Sequence, residues 1–451
     1  MKKIFNENSY QRFHFIGIGG ISMSALAKYL VAKGKQVSGS DRQKSFLTSE
    51  LKSLGVKVYY KHKAENINDA QVVIYSSAID ENNKEYAMAK EKGLDIFSRS
   101  EVLGGIVKNY DKCIAVSGSH GKTTTTCMIA EILERASLNP TVMIGGESLC
   151  FGNFKNGGSQ FAVVEACEYK RNFLNILPFL SVVLNIDDDH LDTYGSIENE
   201  IEAFSKFIEN SLSIINKDDK NASSIKNEGV IYYSAKQKAS VRAKYVKFNG
   251  KGYSFTLYLY GVRVGRINLE ISGKHNLYNA LASIAVCVQL GVSFNDIKFG
   301  LENYHGVKRR NEFIGRRGKT EIYSDYAHHP TEIKAITEGY DKKTLVVFQP
   351  HTYSRTKFLM NDFVKNLSSI ENLVIYKTYS AREKKDEKGS AFTLYNRLKE
   401  IRKTETIYSS DYSSLIRYLN GKIKKFNKVV FLGAGDIYEI AKKFANSQKT
   451  S

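Results

Sequence analysis

The sequence predicts an α/β fold of three domains whose sheets are mainly parallel. A chain of 451 residues is long enough for two to four domains, each with its own core. Short apolar runs with the composition of strands alternate with stretches of helical periodicity, which is typical of parallel sheets covered by helices. The clearest strand candidates are residues 13–18, 72–75, 113–116, 161–165, 180–186, 345–348 and 428–432.

Domain boundaries are predicted near residues 109 and 312, where a new nucleotide-binding-like unit begins. The predicted domains are therefore residues 1–109, 110–312 and 313–451. Residues 218–271 differ from the rest of the central domain. Their short alternations, such as YSFTLYLYGVRVGRINLEI, predict an insertion of antiparallel strands.

The composition is that of an ordinary soluble protein and excludes several classes. Hydrophobic residues make up 42% and charged residues 25% of the chain, and no apolar run approaches the roughly 18 residues of a membrane span. The N-terminus has a basic start without the apolar segment of a secretory signal. Five cysteines, an odd number without a CxxC pair, argue against a disulfide framework or a structural zinc site. We therefore expect a cytoplasmic protein without a membrane partner.

The formal net charge of +19 has two interpretations. It indicates a polyanionic partner, either nucleic acid or phosphate-bearing small molecules, or it reflects a lysine-rich composition. The basic residues are dispersed, with no long basic tail and no repeated stripes of arginine and aromatic residues. We therefore expect no nucleic-acid partner.

A glycine-rich turn near the N-terminus is the first candidate ligand site. In HFIGIGGISMSALAKYL a predicted strand leads through Gly17, Gly19 and Gly20 into a helix that begins near Ile21. Such a turn lets the backbone approach a diphosphate, to which the helix offers its N–H groups. Asp41 follows the next strand and can meet a ribose hydroxyl. Because the third glycine of the GxGxxG pattern is missing, a glycine turn without a ligand and a nicotinamide dehydrogenase remain alternatives.

The strongest local signal is a phosphate loop in CIAVSGSHGKTTTTCMIAEIL. The loop between the predicted strand and the following helix consists of Gly118, Ser119, His120, Gly121, Lys122 and Thr123. Backbone N–H groups of such a loop wrap phosphate oxygens, while Lys122 can bridge the β- and γ-phosphates and the Thr123 hydroxyl can bind Mg²⁺. The motif GxxGKT is shorter than the usual GxxxxGKT, because Val116 replaces the first glycine, and it is typical of one subgroup of ATP users.

Acidic residues and a histidine follow two further strands. Glu165 ends one of them, and LNIDDDHLDTYG places Asn185, Asp187 and His190 after the other. In an open parallel sheet both ends lie on the ligand side, beside the phosphate loop. Carboxylate and imidazole groups there can hold Mg²⁺ that bridges ATP and an acid substrate. Some of the three aspartates can instead cap a helix.

Polar residues that follow the central strands add further candidates. Asn276 and Asn279 share one face of a predicted helix, and capping alone would explain one of them. Arg310, next to Arg309, can reach a nucleotide base or phosphate, or belong to a basic surface pair.

Two strand-to-turn segments in the C-terminal third, SDYAHHPTEIKAI and VVFQPHTYSRTKFL, contain His328, His329, His351 and Arg355. An arginine together with histidines suits a small carboxylate. A metal site is the alternative, which the adjacency of His328 and His329 disfavours.

Together these segments resemble the Mur ligase family over nearly the whole chain. The markers, in the family's order and spacing, are GIGGISMSALA, SGSHGKTTTT, LNIDDDHLDTYG, GKHNLYNALA, YHGVKRRNEFIG, DYAHHPTE and FQPHTYSRT. The first and the last two are most similar to the members that add L-alanine. The resemblance implies a Rossmann-like UDP-sugar-binding domain, a central P-loop-type ATPase domain and a Rossmann-like C-terminal domain that brings the amino acid.

The resemblance also implies an activity. It is the ATP-dependent ligation of L-alanine to the lactyl carboxylate of UDP-N-acetylmuramic acid through an acyl phosphate, a step in peptidoglycan precursor synthesis. ATP and Mg²⁺ would be required, and we expect a monomer or a weak homodimer.

The resemblance assigns roles to individual residues. The UDP-sugar site would comprise Gly17, Gly19, Gly20, Met23, Asp41, Ser76 and Ser77. The ATP site would comprise Gly118, Ser119, His120, Gly121, Lys122, Thr123, Thr124, Asn276 and Arg310. The metal ligands would be Thr123, Glu165 and His190. The catalytic residues would be Lys122, His190, His329 and Arg355, of which the last two lie near the incoming alanine.

Two departures from the family pattern bear on these roles. ACEYKRNF stands where many members have an ADESD-like run, which makes Glu168 the candidate for a second acidic contact. Thr352 stands where some members carry an arginine, so recognition of the alanine carboxylate would depend on Arg355.

Lys206 follows His190 at the distance where some relatives carry a carbamylated lysine, and we expect it to be unmodified. A sister ligase that attaches a tripeptide and a P-loop DNA-dependent ATPase remain alternatives.

Overall fold

Three β-sheets organise the chain in this computed structural model, which describes residues 3–187, 191–338, 340–381 and 383–447. The chain divides into two units, residues 1–305, which contain the first two sheets, and residues 306–451, which contain the third. The predicted three-domain α/β architecture with mostly parallel sheets is confirmed. The boundaries near residues 109 and 312 stay predictions.

The N-terminal sheet has five parallel strands with helices in the connections. The strands are β1 (Arg12–Ile16), β2 (Gln36–Ser40), β3 (Lys57–Tyr59), β4 (Val72–Tyr75) and β5 (Asp95–Ser98). The helices are α1 (Ile21–Ala32), α2 (Phe46–Ser53), α3 (Lys84–Glu91) and α4 (Arg99–Val107). The order β3-β2-β1-β4-β5 is that of a Rossmann-like sheet. The sequence of β4 is a continuous apolar run, because both faces of the sheet are covered and the first three residues of the strand are all buried.

The central sheet has ten strands. They are β6 (Lys112–Ser117), β7 (Thr141–Ser148), β8 (Gly152–Lys155), β9 (Phe161–Glu165), β10 (Leu180–Val183), β11 (Leu212–Asn216), β12 (Val230–Ser234), β13 (Val241–Phe248), β14 (Tyr253–Leu259) and β15 (Val262–Asn268). The helices are α5 (Lys122–Arg135), α6 (Leu191–Tyr194), α7 (Ile197–Ile208), α8 (Lys274–Gln289) and α9 (Phe294–Glu302). The strand order is β15-β14-β13-β12-β11-β10-β6-β9-β7-β8.

Strand direction in the central sheet corrects one prediction. The antiparallel insertion predicted for residues 218–271 is confirmed for β13, β14 and β15. It is wrong for β12, which pairs in parallel with β11 and with β13. Alternation of apolar and polar residues indicates a strand but does not specify the direction of its neighbours.

The C-terminal sheet has six strands and is parallel except at one edge. The strands are β16 (Glu312–Arg317), β17 (Thr320–Asp325), β18 (Thr344–Phe348), β19 (Asn372–Tyr376), β20 (Thr406–Ser409) and β21 (Lys428–Leu432). The helices are α10 (Pro330–Thr337), α11 (Tyr353–Phe358), α12 (Met360–Leu367), α13 (Ala391–Ile401), α14 (Tyr412–Lys422) and α15 (Ile437–Asn446). In the order β16-β17-β21-β18-β19-β20, only the pair of β16 and β17 is antiparallel.

The seven strands predicted from the sequence are all present, although two end early. The strand predicted for residues 13–18 ends at Ile16, because the chain turns at Gly17 with φ of +83°. The strand predicted for residues 180–186 ends at Val183. Among the helices in the described ranges, none combines the length and the apolar character needed to cross a bilayer.

Candidate functional site

The glycine turn after β1 lies at the carboxyl ends of three adjacent strands. β1 pairs in parallel with β2 and with β4, so Gly17, Asp41 and Ser76, which follow these strands, come together. A Cβ atom on Gly17 would lie 3.2 Å from the Ser76 Oγ. The Gly19 N–H donates to the Asp41 Oδ2 at 2.9 Å, and a Cβ atom on Gly19 would lie 2.8 Å from the same oxygen. The turn therefore needs glycine at both positions.

The first turn of α1 adjoins this candidate site. Its N-cap is Gly20, which has no side chain, so the N–H groups of the first turn stay accessible to an anion. Met23 contributes its backbone to this turn, while its side chain is buried in the core. Ser77 is exposed beside Ser76, and its carbonyl oxygen accepts a hydrogen bond from the Lys170 Nζ at 3.5 Å.

Two glycines set the shape of the loop between β6 and α5. Gly118 and Gly121 have φ of +131° and +88°, in the region that favours glycine. A Cβ atom on Gly121 would lie 2.5 Å from the Asn279 Oδ1. α5 begins at Lys122, directly after this glycine, so the helix N-terminus faces the loop. Thr123 and Thr124 belong to the first turn of α5 and are buried.

Asn185, which follows β10, braces the loop. Its Oδ1 accepts the His120 N–H at 2.8 Å, and its Nδ2 donates to the His120 carbonyl oxygen at 3.0 Å. The Asn185 carbonyl oxygen accepts the Ser119 N–H at 3.1 Å. Two residues later, the Asp187 N–H donates to the Ser119 Oγ at 2.8 Å, and the Asp187 Oδ2 lies 3.1 Å from the His120 Nε2. The start of the DDDH segment is thus fixed on the loop.

Lys122 is held at the loop by a carboxylate and two carbonyl groups. Its Nζ donates to the Glu168 Oε1 at 2.9 Å, to the Gly118 carbonyl oxygen at 2.5 Å and to the Ser119 carbonyl oxygen at 3.2 Å. Burial lowers the pKa of the Lys122 ammonium, but the charge of Glu168 and other nearby groups raises this pKa above its ordinary value. Lys122 is therefore a cation at physiological pH. Glu168, the candidate for a second acidic contact, binds this cation.

Glu165 lies beside the loop at the end of β9. It is paired with Val116 of β6, and its Oε1 accepts the Gly145 N–H at 2.7 Å. Glu165 is close enough to Lys122 for its charge to raise the pKa of that lysine. The Thr123 hydroxyl and the Glu165 carboxylate are oxygen ligands of the kind that Mg²⁺ prefers, so this part of the predicted metal site fits the ion. His190, the third predicted ligand, lies outside the described residues.

Asn276 reaches the loop through Asn279. The Asn279 Nδ2 donates to the Asn276 Oδ1 at 3.0 Å, and Asn279 lies against Gly121. Lys206, in contrast, is half exposed on α7 and forms an ion pair with Glu202 at 2.6 Å.

The C-terminal unit groups its predicted residues around Glu332. His329 is the N-cap of α10, and its Nδ1 accepts the Thr331 N–H at 3.4 Å. The Glu332 Oε2 accepts the N–H groups of His328 at 3.1 Å and of His329 at 3.3 Å. The Glu332 Oε1 lies 3.5 Å from the Arg310 Nη1. Arg310 and His329 therefore share one carboxylate.

His351, which follows β18, connects His328 to Arg355. The His351 ring lies 5.6 Å from the His328 ring and is stacked on Tyr379 at 5.6 Å between centroids. The Arg355 Nη1 lies 3.3 Å from the His351 Nδ1. Burial, together with the charges of His328 and Arg355, lowers the pKa of His351 to about 4. His351 is therefore neutral near pH 7 and can accept a hydrogen bond from Arg355.

Four residues to which the family resemblance assigned no role make contacts that connect the predicted site residues. They are Asn185, Asn279, Glu332 and His351. Their only sequence signal is position, since each lies within three residues of the end of a strand or in the first two turns of a helix, inside one of the motifs quoted above.

Comparison with known proteins matches all three parts of the chain. Residues 12–111 match the Mur ligase family, catalytic domain. Residues 116–287 match the Mur ligase middle domain, and residues 309–435 match the Mur ligase, glutamate ligase domain.

Individual relatives align over nearly their full length. The UDP-N-acetylmuramate–L-alanine ligase of Acetivibrio thermocellus is 41% identical, with 99% of this chain and 98% of the relative covered. The enzyme of the same name from Aquifex aeolicus is 41% identical, with coverage of 96% and 97%. The crystal structure of UDP-N-acetylmuramate–alanine ligase from Thermotoga maritima has a TM-score of 0.83 at 29% identity, with 96% of this chain and 98% of that chain covered. A murein peptide ligase from Psychrobacter arcticus shares the fold, with a TM-score of 0.72 at 22% identity and coverage of 98% and 100%. The chain belongs to the Mur ligase family.

Proposed function

We propose that this protein joins L-alanine to the lactyl carboxylate of UDP-N-acetylmuramic acid in an ATP-dependent reaction of peptidoglycan precursor synthesis. The observation that carries the proposal is the similarity, at 41% identity over 99% of the chain, to a relative named UDP-N-acetylmuramate–L-alanine ligase. The phosphate loop supports the ATP requirement independently, because its glycines, Lys122 and the start of α5 together suit a polyphosphate.

The proposed reaction has two steps. The lactyl carboxylate attacks the γ-phosphate of ATP, and the bond to the β-phosphate oxygen breaks, which gives an acyl phosphate and ADP. The alanine amine then attacks the acyl carbon, phosphate leaves and the amine loses a proton. Phosphorylation thus converts a carboxylate oxygen, which is a poor leaving group, into part of a good one.

The loop residues would bind ATP in this mechanism. Lys122 would neutralise charge on the β- and γ-phosphates, and these would replace its present contacts with the loop carbonyl groups. The remaining proposed ATP contacts are Gly118, Ser119, His120, Gly121, Thr123, Thr124, Asn276 and Arg310. A Mg²⁺ ion held by Thr123 and Glu165, with His190 as the third proposed ligand, would supply positive charge at the transferred phosphoryl group.

The N-terminal turn would hold the UDP part of the acceptor. Gly17, Gly19 and Gly20 would allow the diphosphate to approach the N–H groups of α1. Asp41, which is bonded to the Gly19 N–H, would bind a ribose hydroxyl. Met23, Ser76 and Ser77 would complete this site.

The C-terminal unit would present the amino acid. Arg355 can form paired hydrogen bonds with the alanine carboxylate, and neutral His351 orients its guanidinium group. His329 would lie near the amine and the acyl group. Domain closure would then exclude water, which otherwise hydrolyses the acyl phosphate.

The proposal includes the domain boundaries near residues 109 and 312, a cytoplasmic location and a monomer or weak homodimer. All five cysteines lie in the described part of the chain and are free, which fits a reducing compartment. Size-exclusion chromatography with light scattering would test the oligomeric state.

The decisive experiment measures phosphate release with ATP, Mg²⁺, UDP-N-acetylmuramic acid and each amino acid singly. L-Alanine should give the highest kcat/KM. The Lys122→Ala variant should show no turnover while its circular dichroism spectrum stays unchanged. Near-normal turnover in that variant, or no phosphate release by the wild type, would contradict the proposal. If a cell-wall tripeptide outcompetes L-alanine, the protein is a peptide-adding sister ligase.

A further inference from the structure

A cluster of three metal-ligating side chains in the central domain has no role in the proposed ligase reaction. Glu131 belongs to α5, Cys150 lies in the turn between β7 and β8, and His305 follows α9. One ligand atom from each residue lies within 4.8 Å of the other two. The Cys150 Sγ is 3.6 Å from the Glu131 Oε1, and the His305 Nδ1 is 3.6 Å from the Glu131 Oε2.

The spacing of these atoms suits a tetrahedral ion. In a zinc site with Zn–S of about 2.3 Å and Zn–N or Zn–O of about 2.0–2.1 Å, neighbouring ligand atoms are roughly 3.3–3.6 Å apart. The two 3.6 Å contacts are made by different oxygens of Glu131, Oε1 to Cys150 and Oε2 to His305. With one ligand atom from each residue the atoms lie within 4.8 Å of one another, so the side chains must close by up to about 1 Å to hold an ion. Thiolate, imidazole and carboxylate are also the three ligand types that Zn²⁺ binds in proteins.

The charge balance of the cluster favours a cation. Burial raises the pKa of Glu131. Burial and the neighbouring charge of Glu131 raise the pKa of Cys150 to about 11. The charge of His305 only partly offsets the effect of burial on Glu131. A divalent ion would add positive charge beside both groups and displace the thiol proton.

The cluster is also open to solvent on one side and anchored on the other. The Glu131 side chain is 14% exposed and the His305 side chain is 66% exposed. Cys150 is the exposed cysteine among the five, all of which the structure describes. An ion can thus enter from solvent and be held against α5.

We propose that Glu131, Cys150 and His305 form a Zn²⁺ site with three protein ligands and a water molecule in the fourth position. The absence of a CxxC pair argues against a cysteine-rich zinc site, but a mixed site with one thiol has no such signature. The ion would connect α5, the turn between β7 and β8, and the segment after α9. It would thereby tie the strand that carries Gly145, the partner of Glu165, to the helix that follows the phosphate loop.

The test uses the full chain, freed of metal by a chelator and kept in excess Mg²⁺ so that oxygen-ligand sites are occupied. Zn²⁺ affinity is measured by competition with a chromophoric chelator, and Co²⁺ is added separately as a spectroscopic probe. The wild type should bind one Zn²⁺ and show thiolate-to-cobalt charge-transfer absorption. Cys150→Ser should lose this absorption and bind Zn²⁺ at least about tenfold more weakly, since even residues outside the ligand set change affinity that much.

Cys167→Ser is the matched control. Cys167 lies close enough to Lys122 and Glu168 of the candidate ATP site to interact with their charges, so this variant tests the other thiol near possible metal ligands. It should retain the wild-type Zn²⁺ affinity and the absorption band. If the band persists in Cys150→Ser and disappears in Cys167→Ser, or if the wild type binds no Zn²⁺, the proposal is overturned.

A thermal measurement gives an independent readout. Zn²⁺ should raise the Tm of the wild type and of Cys167→Ser, because the ion binds the folded state. His305→Ala should fold normally without metal but show a smaller Tm increase. An equal increase in His305→Ala would exclude His305 as a ligand.

Discussion

Replacing Gly121 with alanine should damage ATP binding more than it damages the fold. Gly121 has φ of +88°, a conformation that costs an L-residue about 1–2 kcal/mol. The added Cβ atom would lie 2.5 Å from the Asn279 Oδ1, well inside the 3.4 Å at which ordinary contact begins. Asn279 is buried and bonded to Asn276, so relief requires either loss of that hydrogen bond or a shift of the loop. At about 1–3 kcal/mol for the hydrogen bond, the KM for ATP should rise roughly fivefold to a hundredfold.

Gly229→Ala is the matched control for this experiment. Gly229 has φ of +77°, and no described atom lies within 4 Å of its Cβ position, so its substitution causes strain without overlap. Gly121→Ala should lose more stability than Gly229→Ala in urea denaturation, because the overlap with Asn279 adds to the backbone strain. Only Gly121→Ala should show the raised KM in phosphate-release assays. Adding Asn279→Ala to Gly121→Ala removes the overlapping atom and should recover part of the ATP affinity. Equal KM values in the two glycine variants would refute the reasoning.

Three further predictions address the braces and ligands of the site. Asn185→Ala removes two hydrogen bonds to the His120 backbone, so kcat/KM for ATP should fall about tenfold or more in the phosphate-release assay, and wild-type kinetics would contradict the bracing role. Glu165→Gln should raise the Mg²⁺ concentration that gives half-maximal activity about tenfold or more, and EDTA should inactivate the wild type and the variant alike. An unchanged Mg²⁺ dependence would exclude Glu165 as a ligand. Because burial lowers the pKa of His351 from 6.5 to about 4, the folded chain binds a proton less tightly than the unfolded chain. The free energy of unfolding should therefore fall by up to roughly 3 kcal/mol as the pH drops from about 6.5 to 4, and His351→Asn should flatten this dependence in urea denaturation.

Features that depend on neighbouring residues were predictable from the sequence. The phosphate loop is an example, because its strand, its glycines, Lys122 and the helix start follow one another directly in the chain. The N-terminal turn was predictable for the same reason. Asp41 could be included because adjacent parallel strands bring their carboxyl ends to one edge of a sheet.

Features that depend on distant segments were not predictable. The direction of β12 follows from its neighbours β11 and β13, which local alternation does not specify. The contacts of Asn279 with Gly121 and of Glu168 with Lys122 arise only when α8 and the end of β9 are packed beside the loop. Sequence motifs marked these segments as polar, but their partners are a property of the tertiary structure.

The dependence of the phosphate loop on later parts of the chain has a consequence for synthesis on the ribosome. His120 and its brace Asn185 are separated by 65 residues, and Asn279 is made later still. At roughly 5–20 residues per second, about 3–13 s pass between the emergence of the loop and that of Asn185. During this interval the nascent loop lacks the hydrogen bonds to Asn185, so we expect ATP to stabilise the central domain only after Asn185 has been made. The strands of the N-terminal sheet all precede the loop, so this sheet can form before the candidate ATP site exists.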